Sequence, residues 1–216
     1  MRPGAAMSSG SIDDEAVAGL ADPDALCRRV AVAVPSAQRT LIAAVGERLT
    51  TIVLGMGDRP TLLWTVAHAP LLVATVRADE TKPLGRELVQ TLRESAAAAL
   101  DEARLGHMRL LQCEVVGASR LARAVVTLGA DGGRAASPRE LTAALATLGS
   151  TWEEQSARGG APAWLRTTLV AAAMLEGILR SLGGGRVVTI PEERVGELAV
   201  RPEAGARPVS LRSSTG

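Results

Sequence analysis

The sequence predicts an α+β fold: a small antiparallel β-sheet, made of a meander and a hairpin, packed with several helices and followed by a helical C-terminal third. Three observations support this class. Apolar residues alternate at period two over residues 50–77, an apolar stripe at helical spacing follows, and the last third carries helix-capping signals. The short turns within residues 50–77 favour antiparallel pairing, because parallel strands need longer crossovers.

The chain of 216 residues is long enough to bury a core without disulfides or metal ions. Its ends are rich in Gly, Ser, Pro, Ala and Arg and have little apolar periodicity. We therefore expect one α+β domain over residues 12–199, whose C-terminal helical part covers 137–183, between flexible tails at 1–11 and 200–216.

The first two elements follow from local signals. Asp22 and Pro23 are typical of an N-cap and a first helical position, and they predict a short helix that ends before Pro35. The stretch "RTLIAAV", residues 39–45, fits either a strand or two helical turns, and we favour the strand.

The predicted meander consists of three alternating runs separated by turn signals. Residues 57–60 divide the first two runs and residues 69–70 the next two. The runs are Ile52, Leu54 and Met56, then Leu62, Trp64 and Val66, and then Leu71, Val73 and Thr75. Many residues between them are also apolar, so we expect both faces of this sheet to be covered, one by helices and the other by a partner.

A long helix is predicted next, capped by Thr81 and ended by Gly106. After it, "HMRLLQCEVV" and "RLARAVVTL" are interpreted as two strands of a hairpin around residues 117–119. The second of these segments is equally compatible with a helix.

The C-terminal third has clear helix boundaries. Ser137 and Glu140 form a capping box around Pro138, and Ser150 predicts a second helix start. A leucine-rich helix is expected over residues 162–182, and "GGGRVVTI" predicts a short strand before residue 191.

Composition argues against nucleic acid as a partner. Tyr, Phe and Asn are absent and Lys82 is the only lysine, a bias that indicates a high-GC genome. Arginine has replaced lysine without giving a basic protein, since the formal net charge is +1. With no Tyr or Phe to stack on bases, we expect no nucleic-acid partner.

Nothing in the sequence predicts a metal site. Cys27 and Cys113 are isolated, and His68 and His107 lack the spacing of zinc ligands. We therefore expect two reduced thiols and no metal. His68 stands at a strand end, where a histidine is more often structural than catalytic.

The stretch "EVVGASRLARAVVTLGADGG" resembles the start of a short-chain dehydrogenase over about ten residues, which would imply a dinucleotide cofactor. Only Gly117 stands in the turn, however, and Leu121 and Ala122 have side chains where the cofactor would lie. That family also uses a Tyr with a nearby Lys, and this chain has no Tyr. We accordingly predict no cofactor.

No apolar run resembles a signal peptide, and no segment is long and apolar enough to span a membrane. The longest apolar stretch, residues 163–182, is interrupted by Arg166, Glu176 and Arg180. A cytoplasmic location is therefore expected.

The order of elements resembles the layout of roadblock/longin-type regulators and secretion-chaperone-type dimers. That layout implies a non-catalytic protein-interaction module, an adaptor, regulator or chaperone-like protein, that binds a protein partner or itself as a homodimer. No nucleophile, base and orienting group stand at recognisable spacing, so no catalytic residue is predicted. The expected interaction surface comprises Trp64, Leu72, Val76, Leu169, Leu175 and Leu179. The alternative is an enzyme or small-ligand-binding protein with a pocket between the sheet and helix 162–182.

Overall fold

A computed structural model describes residues 23–35, 39–105, 113–130 and 133–190 of the chain. These residues form six helices and six strands. In chain order they are α1 (Pro23–Ala33), β1 (Arg39–Val45), β2 (Leu49–Met56), β3 (Arg59–Ala67), α2 (Ala69–Thr81), α3 (Gly85–Glu102), β4 (Glu114–Gly117), α4 (Arg120–Gly129), β5 (Ala135–Ala136), α5 (Pro138–Ala157), α6 (Ala163–Ser181) and β6 (Val187–Thr189). The predicted tails at 1–11 and 200–216, and the predicted helix end at Gly106, lie outside the described residues.

The six strands form one mixed sheet in the order β3-β2-β1-β4-β6-β5. β1 pairs antiparallel with β2, and β2 with β3, as the meander predicted. β4 lies parallel to both β1 and β6, and β5 is antiparallel to β6. The α+β class and the helical C-terminal part are confirmed, but the prediction of a small antiparallel sheet is wrong.

Helices cover the two faces of the sheet unequally. Leu41, Ala43 and Val45 of β1 point into the larger core, which also takes the buried faces of α2 to α6. Ile42 points to the other face, where it joins a smaller core with Leu26, Cys27 and Val30 of α1. The alternation along β1 therefore separates two hydrophobic layers, which explains why β1 is apolar at nearly every position.

The third run of the predicted meander is helix α2, so that assignment is wrong. Pro70 stands in the first turn of α2, where a missing N–H costs nothing. The buried residues of α2 are Leu71, Thr75 and Ala78, spaced four and three apart, which is the helical repeat. Thr81 ends α2 rather than capping the next helix, which begins at Gly85 after a left-handed residue at Lys82.

The predicted hairpin around residues 117–119 is also wrong, because this stretch is a strand, a turn and a helix. β4 ends at Gly117, and Ser119 caps α4 by accepting a hydrogen bond from the Ala122 amide. The helical alternative for "RLARAVVTL" is therefore the correct one.

The C-terminal predictions hold except for one boundary. Ser137 and Glu140 form the capping box, with the Ser137 amide 2.6 Å from the Glu140 carboxylate and the Glu140 amide 3.3 Å from the Ser137 hydroxyl. α6 and β6 occur where they were expected. Ser150 does not start a helix, because α5 runs through it and its hydroxyl bonds back to the Ala146 carbonyl.

Candidate functional site

The carboxyl ends of β1, β4 and β6 lie at one end of the sheet, because these three strands are parallel. From β1 the chain turns to β2 on one side, and it returns to β4 on the other side. Such a change of direction opens a crevice between neighbouring strand ends, and ligands of open α/β sheets bind there. The crevice beyond β1 and β4 is therefore the candidate site.

One wall of the crevice is the turn between β1 and β2, residues 46–48, which we call the β1–β2 turn. The Gly46 amide donates to the Leu49 carbonyl at 2.9 Å, and the Arg48 carbonyl accepts from the His68 amide at 2.8 Å. Gly46 is buried, whereas the side chains of Glu47 and Arg48 are exposed. The side chain of Arg48 forms no ion pair with another residue in the described part of the chain.

The opposite wall is the start of α4, which Ser119 fastens to β1. The Ser119 hydroxyl accepts from the Val45 amide at 3.2 Å and from the Ala122 amide at 3.1 Å. The Ala118 amide donates to the Ala43 carbonyl at 3.0 Å, which continues the strand pairing past Gly117. A Cβ at Gly117 would come within 3.0 Å of the Ala122 Cβ, so glycine permits α4 to start this close to the strand.

These two walls favour an anion between them. The N-terminus of a helix carries about half a positive elementary charge, with amide groups pointing outward. Arg120 in the first turn of α4 and Arg48 in the β1–β2 turn are both exposed arginines that add positive charge around the crevice. A phosphate or carboxylate group is the ligand that such a helix end binds most readily.

Behind the β1–β2 turn lies His68, whose side chain is fully buried. Its Nε2 is 2.7 Å from the Thr50 hydroxyl and its Nδ1 is 3.3 Å from the Glu47 carbonyl oxygen. Burial lowers the pKa of His68 to about 4, against a smaller opposing effect of the Glu47 hydrogen bond. The ring is therefore neutral at pH 7 and supports the turn from inside without reaching the crevice.

A buried carboxylate, Glu176 of α6, joins three helices away from the strand ends. Its oxygens accept from Arg93 Nε at 2.7 Å and Nη2 at 2.9 Å, from the Thr142 hydroxyl and from Arg180. Burial raises the pKa of Glu176, but the hydrogen bonds of Arg93 and Thr142 and the arginine charges lower it more, so the net pKa is lowered. Because α3, α5 and α6 each contribute a partner, we assign this cluster to helix packing.

A groove of about 540 Å³ runs between β3 and α3. Its lining is mostly apolar, with Trp64 and Val66 on the strand side and Ala98 and Ala99 on the helix side, and Glu102 at its margin. Most apolar side chains along α6 are packed in the core, and a pocket between the sheet and helix 162–182 stays a prediction.

The six residues of the predicted interaction surface do not lie together. Leu169, Leu175 and Leu179 are fully buried in the core and contribute nothing to the surface of the folded chain. Trp64 and Leu72 are half-buried, and Val76 is 51% exposed. An interaction surface at these last three residues stays a prediction.

Within the described residues, no group of three or more His, Cys, Asp or Glu side chains is placed to hold a metal ion. None of the described helices combines the length and hydropathy needed to cross a bilayer.

The fold is that of solved phosphatase-type structures. A Ppx/GppA family member from Aquifex aeolicus has a TM-score of 0.56 at 16% identity, with 80% of this chain and 61% of that chain covered. An Aquifex aeolicus PPX-GPPA enzyme gives 0.55 at 15%, covering 78% and 60%, and an exopolyphosphatase from Cytophaga hutchinsonii gives 0.50 at 15%, covering 75% and 57%. This chain thus spans about three fifths of the length of these structures. No protein-family model and no curated protein matches the sequence.

These comparisons overturn the prediction of a non-catalytic protein-interaction module. The solved structures that share the fold are described as Ppx/GppA family members, a phosphatase, an exopolyphosphatase and an exopolyphosphatase-like protein, and none of these descriptions names an adaptor, regulator or chaperone. The similarity in element order to roadblock/longin-type regulators was misleading, because it rested on the two wrong assignments, the third strand of the meander and the hairpin. The small-ligand or enzyme alternative agrees better with the fold.

The β1–β2 turn and Ser119 were missed at the level of sequence. The available signal was the alternation of a strand, a Gly-Ala-Ser turn and a possible helix at residues 114–129, which is the arrangement of a helix N-terminal anion site. The glycine pattern argues against a dinucleotide there, but a single phosphate group needs fewer glycines than a dinucleotide.

Proposed function

We propose that this chain binds the phosphate group of a phosphorylated ligand in the crevice beyond β1 and β4, and that it serves in a phosphatase reaction. The observation that carries the proposal is the position of the β1–β2 turn and the α4 N-terminus on either side of that crevice. The fold, which is shared with structures named phosphatases and exopolyphosphatases, supports the same chemistry.

Binding would use both walls. The first-turn amides of α4 and the guanidinium of Arg48 supply donors and positive charge, and arginine matches phosphate oxygens with two parallel hydrogen bonds. Ser119 would hold the two walls at a fixed separation, because its hydroxyl bonds to β1 and to α4 together.

Hydrolysis would require a base for the attacking water. Glu47 supplies an exposed carboxylate in the same turn as Arg48. In the proposed step the water oxygen attacks the terminal phosphorus, the bond from phosphorus to the leaving oxygen breaks, and the water proton passes to Glu47. Positioning and charge stabilisation carry most of the catalysis in phosphoryl transfer, so Glu47 is expected to affect turnover more than binding.

Binding is tested first, because the chain spans about three fifths of the length of the structures it is compared with. Isothermal titration calorimetry with pyrophosphate and tripolyphosphate is followed by a phosphate-release assay on both compounds. Arg48→Met is expected to weaken binding about tenfold, the value of one charge-assisted hydrogen-bonding group. Glu47→Gln should leave the affinity within about twofold and lower phosphate release by roughly a hundredfold.

Arg59→Met is the matched control. Arg59 is also an exposed arginine next to a β-turn, but it pairs with Met56 at the opposite end of the sheet. Its replacement should leave the affinity for pyrophosphate unchanged. An equal loss in Arg48→Met and Arg59→Met would indicate general charge attraction and would contradict the proposed site, as would a wild-type protein that binds neither compound.

A further inference from the structure

The buried side chain of His68 lies against the inner side of the β1–β2 turn. This residue comes directly after β3 and precedes α2, and its carbonyl accepts from the Leu72 amide at 2.8 Å. Its own amide donates to Arg48, so backbone and ring both contact the turn that carries the exposed Glu47 and Arg48. His68 is thereby fastened to the larger core on one side and to the turn on the other.

The hydrogen-bond partners determine which ring nitrogen carries the proton. The carbonyl oxygen of Glu47 can only accept, so Nδ1 must be the donor in the contact of 3.3 Å. Nε2 then accepts from the Thr50 hydroxyl at 2.7 Å. Thr50 is fully buried, as is His68, so neither group has water as a substitute partner. The Glu47 carbonyl therefore selects the tautomer, and the Thr50 hydroxyl satisfies the nitrogen that this tautomer leaves as an acceptor.

We propose that His68 is a positioning residue, which holds the β1–β2 turn in its ligand-binding conformation through the hydrogen bond from Nδ1 to the Glu47 carbonyl. The inference rests on the proposed phosphate site, because that site assigns a function to the turn. His68 itself touches no ligand. Its effect is to reduce the number of conformations that the turn must lose when it binds a phosphate group.

Two substitutions test the two hydrogen bonds of the His68 ring one at a time, because the side-chain amides of Asn and Gln each reach the position of one imidazole nitrogen. His68→Asn puts an N–H donor near the Nδ1 position and retains a partner for Glu47. His68→Gln reaches the Nε2 position and retains a partner for Thr50, but it removes the donor to the turn. Both variants enlarge the space at a buried position, so they are expected to lose stability to a similar extent.

The first measurement is hydrogen–deuterium exchange of the amides of residues 46–49 in the absence of ligand. The second is calorimetric affinity for pyrophosphate. His68→Gln is expected to raise exchange in the turn and to weaken pyrophosphate binding, each by about tenfold, which corresponds to one lost hydrogen bond. His68→Asn should stay within about twofold of the wild type in both measurements.

Thr75→Val serves as the control for stability alone. Thr75 is a fully buried hydroxyl of α2 that bonds to the Leu72 carbonyl and does not contact the turn. Its loss should destabilise the protein without changing exchange at residues 46–49. If both His68 variants fail to fold, Thr50→Val removes the partner of Nε2 while the imidazole stays, and the less firmly held ring is expected to raise turn exchange.

The outcomes distinguish this inference from the proposed function. Equal exchange and equal affinity in His68→Asn and His68→Gln, or unchanged turn exchange in Thr50→Val where that variant is used, would overturn the positioning role. A wild-type protein that does not bind pyrophosphate would overturn the proposed site and, with it, the ligand-binding role of the turn. Increased exchange in His68→Gln alone would still support the hydrogen bond as the element that holds the turn.

Discussion

Replacing Arg93 by methionine is expected to lower the free energy of unfolding by about 3 kcal/mol, because it removes the main partner of a buried charge. The Glu176 side chain is 1% exposed, and Arg93 donates to both of its oxygens at 2.7 and 2.9 Å. Thr142 and Arg180 remain in the variant, but Arg180 is 59% exposed and bonds at 3.0 Å. The remaining partners therefore compensate only part of the loss.

Removing the carboxylate instead of the arginine should lower the free energy of unfolding by less. Glu176→Leu leaves Arg93 without its carboxylate, but the Arg93 side chain is 23% exposed and can be hydrated. The double variant, Glu176→Leu with Arg93→Met, removes both charges and fills the site with apolar atoms, so it should lie within about 1 kcal/mol of the wild type. The coupling energy between the two sites is then expected to be at least about 2 kcal/mol.

The assay is urea denaturation followed by circular dichroism and by tryptophan fluorescence, since Trp152 is fully buried and becomes exposed on unfolding. Arg180→Met is the control, because an exposed partner four residues from Glu176 should contribute under about 0.5 kcal/mol. Strictly additive losses in the double variant would refute the assignment of a coupled buried pair. An Arg93→Met loss no larger than that of Arg180→Met would refute the argument from burial.

The pH dependence of the same cluster has a definite sign. The pKa of Glu176 is lowered in the folded protein, so the unfolded chain binds the proton more readily. The contribution of Glu176 is therefore complete above its ordinary pKa of 4.5, and it is lost as the pH falls through the lower folded value. Arg93→Met should reduce this acid sensitivity.

Three further predictions concern buried positions in different parts of the fold. Gly85→Ala should lower the free energy of unfolding, measured by urea denaturation, by about 3 kcal/mol, because the new Cβ would overlap the Gly149 carbonyl where α3 meets α5. Gly177→Ala should lower it far less, because its close contact is with the flexible end of a leucine side chain. The free energy of unfolding should fall by up to about 3 kcal/mol as the pH is lowered from 6.5 to 4, because the unfolded chain takes up a proton on His68 while the folded state, with a pKa of about 4, keeps the ring neutral. A free energy from urea denaturation that does not change over that interval would contradict this. Cys27 should resist thiol reagents at pH 7 until the protein unfolds, because burial, with smaller effects of neighbouring carboxylates, raises its pKa to about 11; reaction in the native state would be incompatible with this environment.

Elements with local start and stop signals were predictable from the sequence. Helix α1 follows from the Asp-Pro pair at residues 22–23, and α5 starts at the Ser137 capping box. At α5 the residues that specify the boundary also make the contacts, within three positions of each other. Such boundaries need no information from the rest of the chain.

The order of the sheet was not predictable in this way. The residues Leu71, Val73 and Thr75 fit a strand over five positions in the sequence. The helical period shows only in the fold, where Val73 is exposed and Ala78 is buried. β4 has four residues and pairs with β1 across more than seventy positions of sequence. Parallel pairing leaves no turn signature next to the strand, so the mixed sheet could not be derived from local patterns.

The candidate site was hidden for a further physical reason. Phosphate can be bound by backbone amides at a helix N-terminus, and every residue except proline supplies such an amide. A site of this kind is defined by where a helix begins relative to a strand end, here by the Ser119 hydroxyl between Val45 and Ala122, and not by a run of reactive side chains. The lack of a lysine-containing phosphate loop or a glycine-rich dinucleotide turn therefore says little about phosphate binding in this chain. Phosphate binding depends instead on whether the turn that carries Arg48 and the start of α4 are held at a fixed separation. The substitutions at Arg48 and His68 test this property.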